Sequence, residues 1–169
     1  MYFENFNIKD ISTDIGKAFI ENLSHLLECL NPPLVDKEEI EIRCSRVNNE
    51  EVIKVYIPHK THKVLDISIE HDELESTVEL ADANFHFQEY KDDNERIEDV
   101  INLVSKIMQN TIEVHTFYKG GKIIIRSPYL VNKDGKKEPF QTSFHNLLTI
   151  INPFLMIRKT VERDSFFYK

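Results

Sequence analysis

The chain has 169 residues, 41% of them apolar and 30% charged, with a formal net charge of −8. Such a length supports one buried core and is short for two, so a single domain over residues 1–169 is expected. No apolar run reaches the roughly 18 residues that span a bilayer, "MYFENFNIKD" has no signal-peptide pattern, and Cys29 and Cys44 cannot build a disulfide framework. These exclusions point to a cytoplasmic chain without membrane contact, its two thiols read as small buried apolar groups.

In "TDIGKAFIENLSHLLECLNPP" the residues Ile15, Phe19, Leu23, Leu26, Leu27 and Leu30 recur at helical spacing. Ser12 or Thr13 can cap that helix, and Pro32-Pro33 cannot continue it. Next, Ile40, Ile42 and Cys44 alternate with polar residues, and Val52, Ile53, Val55 and Ile57 follow an Asn48-Asn49 turn, which predicts a hairpin with one wet face. "KVLDISIEHD" alternates again, with Leu65, Ile67 and Ile69 on one side. "STVELADANFHFQEY" predicts two strands joined at Asp82-Ala83-Asn84, with Phe85 and Phe87 inward and His86 outward.

Asp92 and Asp93 open a second helix whose stripe is Ile97, Val100, Ile101, Val104, Ile107 and Met108, with Asp92 and Glu95 at capping-box spacing. Then "HTFYKGGKIIIRS" poses a choice between a phosphate-gripping loop and a tight turn. A Walker loop needs G-x-x-x-x-G-K-[ST] leading into a helix, whereas a β-branched strand follows here, so Gly120-Gly121 read as a two-residue hairpin loop. That loop sets Tyr118 against Ile123, Thr116 against Ile125 and His115 opposite Arg126. Farther on, "TSFHNLLTIINP" predicts a short helix, and Asn152-Pro153 either end the helical stretch or open another helix through Val161. The fold class is therefore α+β: a mostly antiparallel sheet of about six or seven strands with an N-terminal helix, a central helix and C-terminal helical segments.

Charge is unevenly spread. Residues 70–99 carry 12 Asp/Glu against 2 Lys/Arg, and residues 119–169 carry 10 Lys/Arg against 4 Asp/Glu. An acidic balance argues against a general nucleic-acid binder, which needs a basic footprint, while a concentrated negative field suits a basic protein partner. Charge runs of this kind also form plain solvated faces.

Candidate chemistry is sparse. His59-x-x-His62, with His71-Asp72 one strand away, could share a metal. No HExxH helix or H-x-E…C-x-x-C pattern accompanies them, and they read as solvated loop histidines. His115 with Glu113 and Arg126 could form a general base, and reads more simply as a hydrogen-bonded sheet surface. No catalytic residue, cofactor or metal ligand is assigned.

The succession of strand "NFHFQEY", helix "ERIEDVINLVSKIMQ", strand "IEVHTFY", turn "KGG" and strand "KIIIRS" resembles small bacterial immunity-type proteins encoded beside polymorphic or contact-dependent toxins. The resemblance covers roughly residues 63–130. It implies a cytoplasmic, non-enzymatic inhibitor of a toxin domain, and the acidic segment suits a basic nuclease as that partner. Asp72, Glu73, Glu75, Glu79, Asp82, His86, Asp92 and Asp93 are the expected partner contacts, placed beside strands or at a helix start where side chains reach solvent. The alternatives are an uncharacterised binding or structural module, phage-borne or dimeric, and an enzyme with an unrecognised site. Homo-oligomerisation stays open.

Overall fold

The computed structural model describes residues 3, 6–61, 63–88, 90, 92–139, 143–144 and 156–167. Helix α1 runs Asp14–Leu30 and is capped by the Thr13 hydroxyl, which accepts from the Gly16 N–H; Asn31, in the left-handed region at φ 44°, closes its end. Five strands then form an antiparallel meander: β1 (Glu41–Val47), β2 (Glu50–Ile57), β3 (Ile67–His71), β4 (Ser76–Leu80) and β5 (Ala83–Phe87), in the order β1-β2-β3-β4-β5.

The register of this first sheet separates its faces cleanly. Ile57–Ile67–Leu80–Ala83, Val55–Ile69–Val78–Phe85 and Ile53–His71–Ser76–Phe87 are the inward rows. Tyr56–Ser68–Glu79–Asn84 and Lys54–Glu70–Thr77–His86 face outward. A period of two along every strand produces this division, because successive Cβ atoms point to opposite faces. Helix α2 (Asp93–Gln109), capped by Asp92, buries Ile97, Val100, Val104, Ile107 and Met108. The buried apolar residues of α1, α2 and the inward rows form one cluster.

The second sheet begins after α2. Strand β6 (Thr111–Lys119) turns through Gly120-Gly121 into β7 (Lys122–Val131), and the short strands β8 (Lys137–Pro139) and β9 (Ser143–Phe144) both pair with β7. Strand β10 (Ile157–Ser165) pairs antiparallel with β6 from the other side. Ile112, Val114, Leu130 and Phe166 carry this sheet into the same apolar cluster as the first. No helix of the described residues is long and apolar enough to cross a membrane.

Several expectations need correction. The strands divide into two sheets rather than one, because the α2 crossover separates β5 from β6. The β4–β5 turn is Ala81-Asp82, at φ 52° and 62°, so Ala83 and Asn84 belong to the strand. A bulge between Phe117 and Tyr118 keeps Tyr118 opposite Ile123 but shifts the rest, setting Thr116 opposite Arg126 and His115 opposite Ser127.

The C-terminal helical expectation also fails where it can be checked: Ser143–Phe144 and residues 157–161 are strand. Pairing with β7 and β6 overrides the local apolar spacing there. Residues 145–155 of the expected helices lie outside the described residues. Cys29 is exposed on α1 rather than buried, and Cys44 is half-buried with its thiol pushed up by burial and by the nearby Glu51 carboxylate.

Candidate functional site

The acidic segment converges on the β3–β4 turn and the start of α2. Asp72 holds that turn: its carboxylate accepts from the N–H groups of Leu74 (2.8 Å) and Glu75 (2.7 Å), and its own N–H donates to the Glu75 carbonyl (2.9 Å). Leu74, at the tip, is 70% exposed. Beside it lies an open recess of about 460 Å3 lined by Glu73, Leu74, Glu75, Gln88, Tyr90, Asp93 and Arg96.

Arg96 anchors this corner from inside. Its side chain is buried, and Nη2 donates to the Glu73 carbonyl (3.1 Å) and to the Asp93 carboxylate (3.0 Å). The guanidinium therefore ties the first turn of α2 to the β3–β4 turn while offsetting one carboxylate. Its Nε has no partner. Behind it His71 is buried, stacked on Phe19 with ring centroids 4.6 Å apart and bonded through Nδ1 to the Ser76 hydroxyl at 2.7 Å. Burial, reinforced by the neighbouring Arg96 charge, pushes the His71 pKa down to about 4.

The other expected contacts divide between two places. On the open sheet face His86 is exposed and hydrogen-bonded to Glu75, which with Gln88 holds the Glu75 carboxyl below its usual range. Glu79 stands exposed in the next outward row, between Ser68 and Asn84. Asp82 instead pairs with Arg126 of β7 across the gap between the sheets. Thus Glu73, Glu75 and Asp93 share the recess, and Asp72, His86 and Asp92 border it through the turn, the Glu75 contact and the helix cap. Glu79 and Asp82 lie apart.

Tyr90 completes one wall by donating to Asp99 at 2.6 Å, a bond that lifts its phenol to about 12. Comparison of the chain with family models, curated proteins and solved structures finds no match. The reading of the site therefore rests on its own geometry.

The histidines of the metal question are not together. His59, expected in solvent, is buried: its ring meets Phe166 edge-on at 5.0 Å, and Nε2 donates to the Ser165 carbonyl at 3.1 Å. His71, expected in a solvated loop, is the last residue of β3 and faces the core, and His62 lies outside the described residues. Among the described residues no group of three or more His, Cys, Asp or Glu side chains is placed to hold a metal ion.

Glu113 and His115 do meet, on β6 beside Lys137 of β8. His115 Nε2 lies 2.5 Å from Glu113 Oε1, and Lys137 donates to the same oxygen. Those two bonds, Lys137 first, hold the Glu113 carboxyl below its usual range. Arg126, expected opposite His115, sits one residue along because of the bulge and turns to Asp82.

Sequence reasoning passed over Leu74, Gln88, Tyr90 and Arg96. Arg96 carried a signal: it lies four residues before Val100 and eight before Val104, on the buried stripe. Glu51 was also missed. Burial alone would raise its carboxyl, but hydrogen bonds from the hydroxyls and N–H groups of Thr13 and Ser12 outweigh it and hold it at about 2.

Proposed function

We propose that the chain is a non-enzymatic binding protein that holds a basic protein partner against the acidic end of its first sheet. The partner class is a toxin domain, neutralised in the cytoplasm, with a basic nuclease the best fit to the charge. The observation that carries this reading is the β3–β4 tip, where Leu74 projects between Glu73 and Glu75 beside an open recess. An exposed apolar side chain ringed by one sign of charge has the form of an interface anchor: the apolar group supplies contact energy and the charges steer encounter. A nuclease presents a basic surface to phosphates, so an acidic patch with an apolar centre competes for that surface. The strand–helix–hairpin resemblance to immunity-type proteins points the same way.

The test is co-expression with a toxin domain encoded beside the gene, reading growth and complex formation. The native chain restores growth and co-purifies with the toxin. Leu74→Ser combined with Glu73→Lys weakens binding by about a hundred-fold, the scale of one anchor residue, without moving the melting temperature. Asp72 and Glu75 are left intact because they build the turn and hold His86. A native chain that neither binds nor protects overturns the proposal.

A further inference from the structure

We propose that the outer edge of β10 is a homodimer seam, through which two copies of the chain pair antiparallel about a two-fold axis at Thr160. This inference is independent of the acidic end of the first sheet and would stand if that proposal failed.

Strand β10 is nine residues long, and among the described residues it pairs with β6 alone. Among the described residues the other edge from Ile157 to Arg163 offers a row of backbone donors and acceptors, which folded proteins usually shorten, cover or pair. The edge also displays apolar side chains at Met156, Ile157 and Val161, which are 90%, 60% and 51% exposed. An exposed edge of this length is a template for another strand.

The occupant is a second copy because "IRKTVERDS" complements itself. With the axis at Thr160, Arg158 of each copy lies opposite Glu162 of the other, giving two opposite-charge pairs. Thr160 meets Thr160, Ile157 lies along the Arg163 stem, and Lys159 lies against Val161. No like charges are directly opposed. Moving the axis one residue to Val161 sets Lys159 against Arg163 twice, which offsets the two Arg158–Asp164 pairs formed there, so the Thr160 register, with two attractive pairs and no repulsive one, is the one charge favours. In the Thr160 register the two second sheets continue into each other through β10.

Sedimentation equilibrium on the full chain tests this with charge reversals at exposed side chains. The native chain is dimeric at about 100 µM, a concentration at which a modest edge pairing is populated. Arg158→Glu alone, or Glu162→Arg alone, opposes like charges twice and weakens the dimer by about ten-fold or more. An equimolar mixture of the two variants restores the dimer, because each copy then finds its complement. Circular dichroism confirms that both variants remain folded. A monomeric native chain, a dimer indifferent to either reversal, or a mixture that fails to pair overturns the seam.

Discussion

The two sheets differ in how their strands find one another, and the difference separates what is locally encoded from what is not. The first is a meander in which each strand pairs with the next along the chain, and its inward rows alternate without interruption. The second takes β10 to one side of β6 and β7 to the other, so the strand following β6 in sequence and the last strand described flank it together. Its register also breaks at a bulge. Charge divides along the same line: among the described residues, the acidic ones of 70–99 lie in or beside the first sheet and the basic ones of 119–163 in or beside the second. Neighbour pairing needs only short turns and alternation, whereas the β6–β10 pairing closes a long loop.

The largest effect that would sharpen this comparison lies at the corner of the first sheet. Arg96→Met removes the buried guanidinium that joins α2 to the β3–β4 turn, leaving the Glu73 carbonyl and the Asp93 carboxylate without it. Breaking a buried charged contact should cost about 4 kcal/mol, read as a fall in the urea midpoint. The matching variant of the second sheet, Lys137→Met, removes an exposed partner of Glu113 and should cost less than about 1 kcal/mol. Equal losses would show that Arg96 is not the anchor its burial suggests.

Acid should then distinguish the two histidine clusters. The folded pKa of His71 is about 4, below its ordinary 6.5, so the unfolded chain binds the extra proton between those values. Stability therefore falls as pH drops from about 6.5 towards 4, by at most roughly 3 kcal/mol from this group. Glu113, held below its usual range by Lys137 and His115, contributes stability that is present above pH 4.5 and lost only as pH falls through its lower folded value. Denaturant titrations from pH 7 to 3 should show the His71 loss first. His71→Phe should flatten the upper part of that curve if the variant folds; an unchanged slope between pH 6.5 and 4 would assign the acid sensitivity elsewhere.

Both helices, the individual strands of the meander and the Gly120-Gly121 hairpin were legible because each rests on spacing within one short segment. The errors have physical causes too. His71 continues the Leu65, Ile67, Ile69 alternation and belongs to the core, but its polar imidazole and the adjacent Asp72 give it the look of a solvated loop residue. The bulge at Phe117/Tyr118 leaves the turn register intact and moves only the distal pairs, so no turn rule reveals it. Strand β10 carries Ile157 and Val161 at helical spacing, and its strand state comes from β6, distant in sequence. Of the expected contacts, the turn and helix-start carboxylates did gather, since both elements end at the same corner. The separation of Glu79 and Asp82 from them depends on sheet register and on Arg126.

The smallest effect concerns turn chemistry, where the sheets solve one problem with different residues. Asn48-Asn49 in the first sheet (φ 54° and 72°), Ala81-Asp82 (φ 52° and 62°) and Gly120-Gly121 in the second (φ 57° and 76°) are all two-residue loops with both residues left-handed. The hairpin's twist demands that conformation, which glycine adopts without penalty, asparagine at small cost and alanine at more. The Ala81-Asp82 turn escaped sequence reading for this reason: alanine is not a turn former, and Ala81 is kept there with its methyl buried in the core cluster. Gly121→Ala meets no atom within 4 Å, so its cost of about 1 kcal/mol is purely conformational. Asn49→Gly at the corresponding position of the first sheet relieves strain at an exposed site and should raise stability by a few tenths of a kcal/mol at most, because glycine also loosens the unfolded chain. Thermal melts of the two variants should move in opposite directions, with the Gly121→Ala shift the larger. A destabilised Asn49→Gly chain would mean that the asparagine side chain, rather than its tolerance of positive φ, holds the β1–β2 turn.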